Sequence, residues 1–550
     1  MSYVSFEFLA FCVAILFVYY IFSAFGKYGR KAQKYVLLAA SLAFYSWGHL
    51  YPCIKDGFTR GAVSDILTSL SGIIITALTS YLAGVLIGGV WKREAKKLSA
   101  CDDREKQKTI KKNSKRLARL WLVLALVVTV GLLAVCKYNE FAVENINVIL
   151  DKLGRGQIEA PDILLPMGIS FYTFMAISYV LDIFWKRYEY ERNVFAYVSY
   201  ITYFPHVVQG PIDRYNKFSA QMKNGVTFSY KNITYGAQLA LWGFFEKLVV
   251  ANRIGIFVDE IYGNAEEYKG IIIVLATVLY SVQIYADFAG CIDIVRGISE
   301  MFGITLEKNF NHPYFAKTMP EFWRRWHMSL MEWFKDYIYY PVSTSKLVRT
   351  VKKHTKKNRL KRVGELFSTC FPALIVWMVT GIWHGAAWNF VAWGMFHACL
   401  IILGNIFERP LAALTKKLKI NTETFSWRLW QMTRTFVLCC IGRVFFKAGS
   451  VDEAFFIFRQ IFDKLELYRL LPAYLFTYGL SVYTFTVMLV SIFILWAVDM
   501  VEEKDPLRDT LSRQNIVFRW LLIFACLSAI LIFGVYGPEF NASAFIYEQF

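Results

Sequence analysis

Runs of about twenty apolar residues recur from one end of the chain to the other, each closed by a short polar or basic stretch. That is the length an α-helix needs to cross the hydrocarbon of a bilayer. The predicted crossings begin with Ser5–Phe25, Tyr35–Tyr51, Ile66–Trp91, Leu120–Cys136, Ile163–Trp185 and Tyr235–Ile261. They continue with Ile271–Val295, Leu366–Trp383, Trp388–Ile406, Trp427–Phe446, Leu471–Met500 and Val517–Tyr536, about twelve in all. Val194–Gly210 is interrupted by Pro205 and Gly210 and reads as a re-entrant piece, since irregular backbone at membrane depth needs protein or a cavity around it. The short alternation of a β-barrel is absent. The expected fold is therefore all-α and polytopic, one integral-membrane domain over residues 1–550 with re-entrant or interfacial helices. Ser5–Phe25 lacks a basic stretch before it and is longer than a secretory apolar region, so it is expected to be a first span.

Charge orients these runs. Residues 92–119 hold twelve Lys or Arg against four acids, and residues 346–362 hold nine and no acid. Both stretches are expected to be cytoplasmic loops. Counting crossings from them puts both termini outside, with an extracytoplasmic tail at 537–550. The net charge of +19 raises the question of nucleic acid, but the basic residues lie in short segments between apolar runs, which excludes a nucleic-acid partner in favour of membrane lipids. A chain that is 56% hydrophobic and 19% charged is not a soluble domain. The ten cysteines include no CxxC pair and no metal-ligand spacing, and the adjacent Cys439 and Cys440 are expected to pack in the core, so no metal is expected.

Two tryptophan–histidine pairs carry the chemistry. The first lies in Pro320-Glu-Phe-Trp323-Arg324-Arg325-Trp326-His327-Met-Ser-Leu330, predicted as one helix from Pro320 to a stop at Pro341, with Trp323, Trp326, Leu330, Trp333 and Tyr337 on one stripe. The second is Gly381-Ile-Trp383-His384-Gly385-Ala-Ala-Trp388, inside an apolar run. An imidazole in hydrocarbon marks a functional site or a hydrogen-bonded core group. Burial disfavours its charged form and leaves it able to accept a proton. Arg324 and Arg325 are placed either to hold phosphates or to snorkel to the interface. Asp287 and Asp293 need partners, Arg296 being one, and read as a buried structural pair; His206 and His397 read as packing histidines. The loop charges anchor His327 on the inner side and put His384 nearer the outer end of its run.

The run Phe322-Trp-Arg-Arg-Trp-His-Met-Ser-Leu330, followed by Trp333-Phe-Lys-Asp-Tyr-Ile-Tyr339, resembles the signature of the membrane-bound O-acyltransferase family. It is similar to the bacterial branch of alginate and peptidoglycan O-acetyltransferases and teichoic-acid D-alanyl transferases. Leu165–Phe174, Phe204–Tyr215, Tyr280–Gly290, Gly381–Phe390 and Val444–Ser450 resemble further segments of that branch in order. Where polysaccharide O-acetyltransferases usually carry Pro-Leu-Gly-Gly, this chain has Pro341-Val-Ser-Thr-Ser-Lys346, which bears on the acceptor.

The resemblance implies an enzyme in which His384 is the catalytic histidine and His327 its companion, lined by Trp383, Trp326 and Trp323. It implies an acyl thioester as substrate (acetyl-CoA or an acyl-carrier protein), no bound cofactor, and an extracytoplasmic SGNH-type acyltransferase partner in a bacterial inner membrane. The ending Phe545-Ile-Tyr547-Glu-Gln-Phe550 resembles a tail in which the tyrosine relays the acyl group; an interfacial aromatic anchor is the other reading of Tyr547. The expected function is acyl transfer, acetyl foremost, from a cytoplasmic thioester to an exported or cell-wall polysaccharide. D-alanyl transfer to teichoic acid from a carrier protein is the alternative within enzymes, and non-catalytic export of lipid-linked glycans the alternative outside them.

Overall fold

Helices fill the structure, a computed structural model that describes residues 1–48, 50–51, 60–163, 165–223, 225–356 and 360–536, the side chains of 60–65 excepted. The helices begin with α1 (Phe6–Ala24), α2 (Gly26–Tyr45), α3 (Arg60–Ser99), α4 (Arg104–Lys152), α5 (Ile169–Phe184), α6 (Val194–Thr202) and α7 (Tyr215–Met222). A π turn, Phe245–Ala251, joins α8 (Tyr230–Phe244) to α9 (Asn252–Gly263), and α10 (Ile271–Met301) follows. Three short helices come next, α11 (Met319–Arg325), α12 (Met328–Phe334) and α13 (Tyr340–Ser343), then α14 (Lys346–Thr355). The chain continues through α15 (Lys361–His384), α16 (Trp388–Lys417), α17 (Phe425–Lys447), α18 (Val451–Asp463), α19 (Pro472–Leu475), α20 (Val482–Glu502), α21 (Leu507–Ser512) and α22 (Ile516–Phe533). There is no strand among the described residues, and the tail 537–550, with Tyr547, lies outside them.

Eight helices among the described residues are long and apolar enough to cross a membrane: α1, α3, α4, α10, α15, α16, α20 and α22. The other four predicted crossings fall on α2, on the 16-residue α5, on α8–α9 with its π turn, and on α17, which carries Arg428, Arg434 and Arg443. Along α22 the side chains of Phe518, Leu521, Phe524 and Leu531 are exposed. A continuous apolar face of that kind belongs against lipid.

Contacts divide the chain into two compact units, Met1–Ala237 with Val295–Glu307, and Gln238–Ile294 with Lys308 onward. In the first, α3 packs on α4 and α5. Gly84 permits that approach, because a Cβ there would fall 2.7 Å from the Tyr179 ring. The expected break after Val194 is present: α6 ends at Thr202, and the chain through Gly210 is buried without helix. Its polar groups are taken up locally, as buried backbone requires. Phe204 N donates to Ser41 Oγ at 3.0 Å, and the Tyr3 hydroxyl donates to Phe204 O at 2.9 Å. His206 lies 2.7 Å from Tyr200 O and 3.3 Å from Asp213, a packing histidine as read from the sequence.

Two expectations are corrected here. The run Leu120–Cys136 and the segment after it form one helix, α4, of 49 residues, about 73 Å long at 1.5 Å per residue. Most of the basic stretch 92–119 is likewise helical, since α3 reaches Ser99 and α4 starts at Arg104 behind an Asp103 cap that accepts from Glu105 N at 2.9 Å. Propensity carries a charged helix beyond the bilayer, whereas hydropathy registers only its apolar part.

In the second unit, Asp287 on α10 pairs with Lys247 of the π turn, both buried, where the sequence offered Arg296. The α15–α16 hairpin is the element that places His384. Gly385 and Ala387 are extended and end α15 abruptly. Near the turn a Cβ on Gly394 would lie 2.5 Å from Trp377 O, and one on Gly381 2.6 Å from Phe390 O. The helices therefore approach backbone to backbone, as small residues allow within membranes. Gly394→Val is expected to cost ~1–3 kcal/mol, read as a lowered thermal midpoint in detergent; an unchanged midpoint would mean that the helices are not in such contact.

Candidate active site

His327 sits where the predicted single helix from Pro320 to Pro341 breaks in two. Its backbone is left-handed, φ 47° and ψ 52°, between α11 and α12. Long-range pairing replaces the helical bonds there: Met328 N donates to Asn309 O and Asn311 N donates to Arg325 O, both at 2.9 Å. Ser329 N donates to the Asn309 side chain at 3.1 Å. A positive φ costs a non-glycine residue about 1 kcal/mol or more, and these bonds offset it at about 1 kcal/mol each. The segment is also tied to α20. Arg325 forms a forked pair with Glu503 at 2.8–3.0 Å, and His312 Nδ1 lies 3.0 Å from Asp499.

The break brings the first histidine against Trp383, the residue before the second. His327 is 1% exposed, its ring 4.8 Å from Phe288 and 6.1 Å from Trp383. His384 is 4% exposed and its ring lies 4.8 Å from the same Trp383. Both expected histidines thus pack against one indole. His384 also meets Trp393 edge-on at 4.8 Å and Phe446 at 5.3 Å. Trp393 in turn meets His397 at 5.0 Å, and His397 meets Trp323 at 4.9 Å and Trp377 at 5.2 Å. Three imidazoles are thereby set in one cage of indoles. The cage is polar at chosen points: the indole N–H groups of Trp323 and Trp393 and Nδ1 of His397 are buried without a hydrogen-bond partner among the described residues.

Trp326 and Trp323, expected to line the site, are buried, with Phe322 packed on both at 5.5 and 5.1 Å. Arg324 is exposed, while Arg325 is held by Glu503 and Glu321. Sequence reasoning missed two members of the cage. His397 was read as packing alone, and Arg443 was not singled out although it is a charge inside an apolar run, the signal that an intramembrane ionisable group should give. Arg443 is 2% exposed, and its guanidinium stands 4.5 Å from the centre of the Trp326 ring. A cleft of about 360 Å³ adjoins the cage, lined in part by Tyr285, Tyr314 and Asp499; both phenol rings also pack on Trp326. Such a site can hold a polar, uncharged group, move a proton through imidazole and exclude water.

Residues 62–447 match the family model described as MBOAT, the membrane-bound O-acyltransferase family. The chain is 27% identical over 441 residues to a probable alginate O-acetylase AlgI of Azotobacter vinelandii, covering 80% of this chain and 75% of that one. It is 29% identical over 363 residues to a peptidoglycan O-acetyltransferase of Helicobacter pylori, covering 61% and 63%. It is 28% identical over 287 residues to a teichoic acid D-alanyltransferase of Bacillus subtilis, covering 50% and 67%.

His327 lies outside the spanning helices, and burial drives its pKa from 6.5 down to about 3. The folded protein therefore binds no proton there at neutral pH, whereas the unfolded chain takes one up below 6.5. The stability this represents is whole above that value and is lost as pH falls towards 3, by at most ~1.4 kcal/mol per pH unit. His327→Gln is expected to flatten the fall of the thermal midpoint between about pH 7 and about pH 4.5. An acid slope equal to that of the unsubstituted protein would show that this imidazole is not desolvated.

Proposed function

The chain belongs to the membrane-bound O-acyltransferase family, and from that premise we propose that it moves an acetyl group from a cytoplasmic thioester donor onto an exported or cell-wall polysaccharide, with His384 as general base. The observation that carries this reading is that both imidazoles pack against Trp383. One group takes the proton of the acceptor hydroxyl as its oxygen attacks the thioester carbon. The other, kept neutral by burial, donates a hydrogen bond to the carbonyl. Imidazole suits both tasks because its ordinary pKa lies near the working pH. Names of relatives support the acceptor class, two of the three being O-acetylating enzymes of bacterial polysaccharides.

In this reading Arg324, exposed and not engaged by Glu503, meets phosphates of acetyl-CoA on the cytoplasmic side. Arg325 is the weaker partner for them, since carboxylates already hold it. No resident cofactor enters the reaction. Tyr547 accepts the acetyl group and passes it to an extracytoplasmic SGNH-type acyltransferase, the protein lying in a bacterial inner membrane with both termini outside. A histidine-lined cage moves a small acyl group through hydrocarbon without moving the charged coenzyme. The likeness to a teichoic acid D-alanyltransferase favours a second reading, D-alanyl transfer from a carrier protein.

His384→Ala is expected to lower acetyl transfer by ~10²–10⁴-fold while the protein inserts at normal abundance. Retained transfer would end the enzymatic role of this histidine and reopen export of lipid-linked glycans. A reconstituted protein that uses charged carrier protein and refuses acetyl-CoA would turn the assignment to D-alanylation. Tyr547→Phe is expected to block delivery to the partner, and full activity in that variant would dismiss the relay.

A further inference from the structure

Arg443 has no place in the scheme so far, and its surroundings are unusual for a cation. It lies on α17 four residues before Lys447, is 2% exposed, and faces aromatic rings on two sides: Trp326 at 4.5 Å and Phe446 at 5.9 Å. Those two rings belong to the two halves of the site. Trp326 precedes His327 in the chain, and Phe446 touches His384 at 5.3 Å. Its guanidinium is within hydrogen-bonding reach of the Tyr314 phenol, and the Cys439 and Cys440 thiols and the His397 imidazole lie in its field. Among the described residues no carboxylate forms an ion pair with it. Its Nη2 is buried without a hydrogen-bond partner among the described residues.

A guanidinium taken out of water with no carboxylate paired to it is costly, and stacking on indole offsets only part of that cost. A fold that keeps such a cation beside His397, and on the same Phe446 ring that packs against His384, does so for an anion that is present only part of the time. The shape is that of an electrostatic stabiliser: a fixed donor fork in a water-poor cage, gaining an anionic partner only when charge develops.

We propose that Arg443 is a catalytic residue of the acyl-transfer site and holds the oxyanion that forms on the thioester carbonyl. The inference rests on the acyl-transfer reading above. The acceptor hydroxyl oxygen bonds to the carbonyl carbon while His384 takes its proton, and the carbonyl π pair moves onto oxygen, where the guanidinium receives it. As the pair returns, the carbon–sulfur bond breaks, the thiolate leaves with the proton from His384, and the ester remains. Trp326 and Phe446 hold the guanidinium flat and keep water from neutralising its field.

The test is steady-state transfer by the whole purified protein, with acetyl-CoA varied, for the unsubstituted chain, Arg443→Met and Arg443→Lys. The expected result is a fall in kcat of ~100-fold or more for Arg443→Met, with KM for the donor within about threefold, and a smaller fall for Arg443→Lys, which keeps charge but loses the fork. Added guanidinium is expected to restore part of the lost kcat to Arg443→Met, a rescue that a packing role would not give. An effect confined to KM would overturn the proposal by making Arg443 a donor-binding group, and a kcat within threefold of the original in both variants would overturn it outright. If Arg443→Met does not fold, Arg443→Lys decides: undiminished kcat there refutes a role for the fork. Failure of the unsubstituted protein to transfer an acyl group would refute the acyl-transfer reading instead, so the two failures are distinct.

Discussion

The pairing of Asn309 and Asn311 with Arg325, Met328 and Ser329 is the constraint on which the site depends. It closes the segment 309–329 on itself, breaks the helix that local periodicity would build, and fixes His327 in a left-handed conformation. Histidine is among the residues that tolerate such a backbone, yet it adopts it here only because the flanking amides have better partners across the loop than within a continuous helix. Asp499 of α20 and Glu503 just beyond it then hold the segment, Asp499 at the left-handed His312 and Glu503 at Arg325. Without this strap His327 would lie on the side of a helix, and no feature of the α15–α16 hairpin would bring it to Trp383.

The cage has the opposite character, for its walls are rings packed on rings. Aromatic side chains give large contact area with few rotatable bonds, so the imidazoles are seated by shape. The same walls remove water. That keeps His327 neutral and strengthens whatever electrostatic contact the remaining polar atoms make. One environment accordingly keeps the His327 imidazole uncharged and leaves the field of the Arg443 guanidinium little screened.

How much of this the chain announced depends on the range of the interaction. The run Leu471–Met500 begins well before α20 and Tyr35–Tyr51 is displaced from α2, because apolar residues continue into the flanking chain. By contrast, Ser5–Phe25 and Val517–Tyr536 were legible to within about three residues of α1 and α22. So was the end of α15 at His384, where Gly385 follows. The break at His327 was not, because the stripe Trp323, Trp326, Leu330, Trp333, Tyr337 has genuine helical spacing and the bonds that defeat it come from Asn309 and Asn311, outside the window that periodicity reads. The long α4 was missed for the converse reason: its ends are polar and helical at once, and hydropathy sees only the first property. Arg443 was legible in principle, a lone charge among Cys439, Cys440, Val444 and Phe446, but its neighbours in sequence hid that Trp326 and His397 are its neighbours in space.

The two histidines reach their meeting point by different physics. His384 arrives at the end of a helix long enough to cross the membrane, carried by an apolar face and by the glycines that seat α15 against α16. His327 arrives on a segment that is not among the spanning helices, so its backbone must satisfy itself wherever it lies out of water. The bonds at Asn309, Asn311 and Arg325 do that, which is the condition for irregular chain to exist among spanning helices at all. The strap that positions the histidine is thus the same device that makes its depth tolerable. This coupling explains why His327 sits at a helix break: a continuous helix would satisfy its own amides equally well, but it would have no means of turning that imidazole towards Trp383.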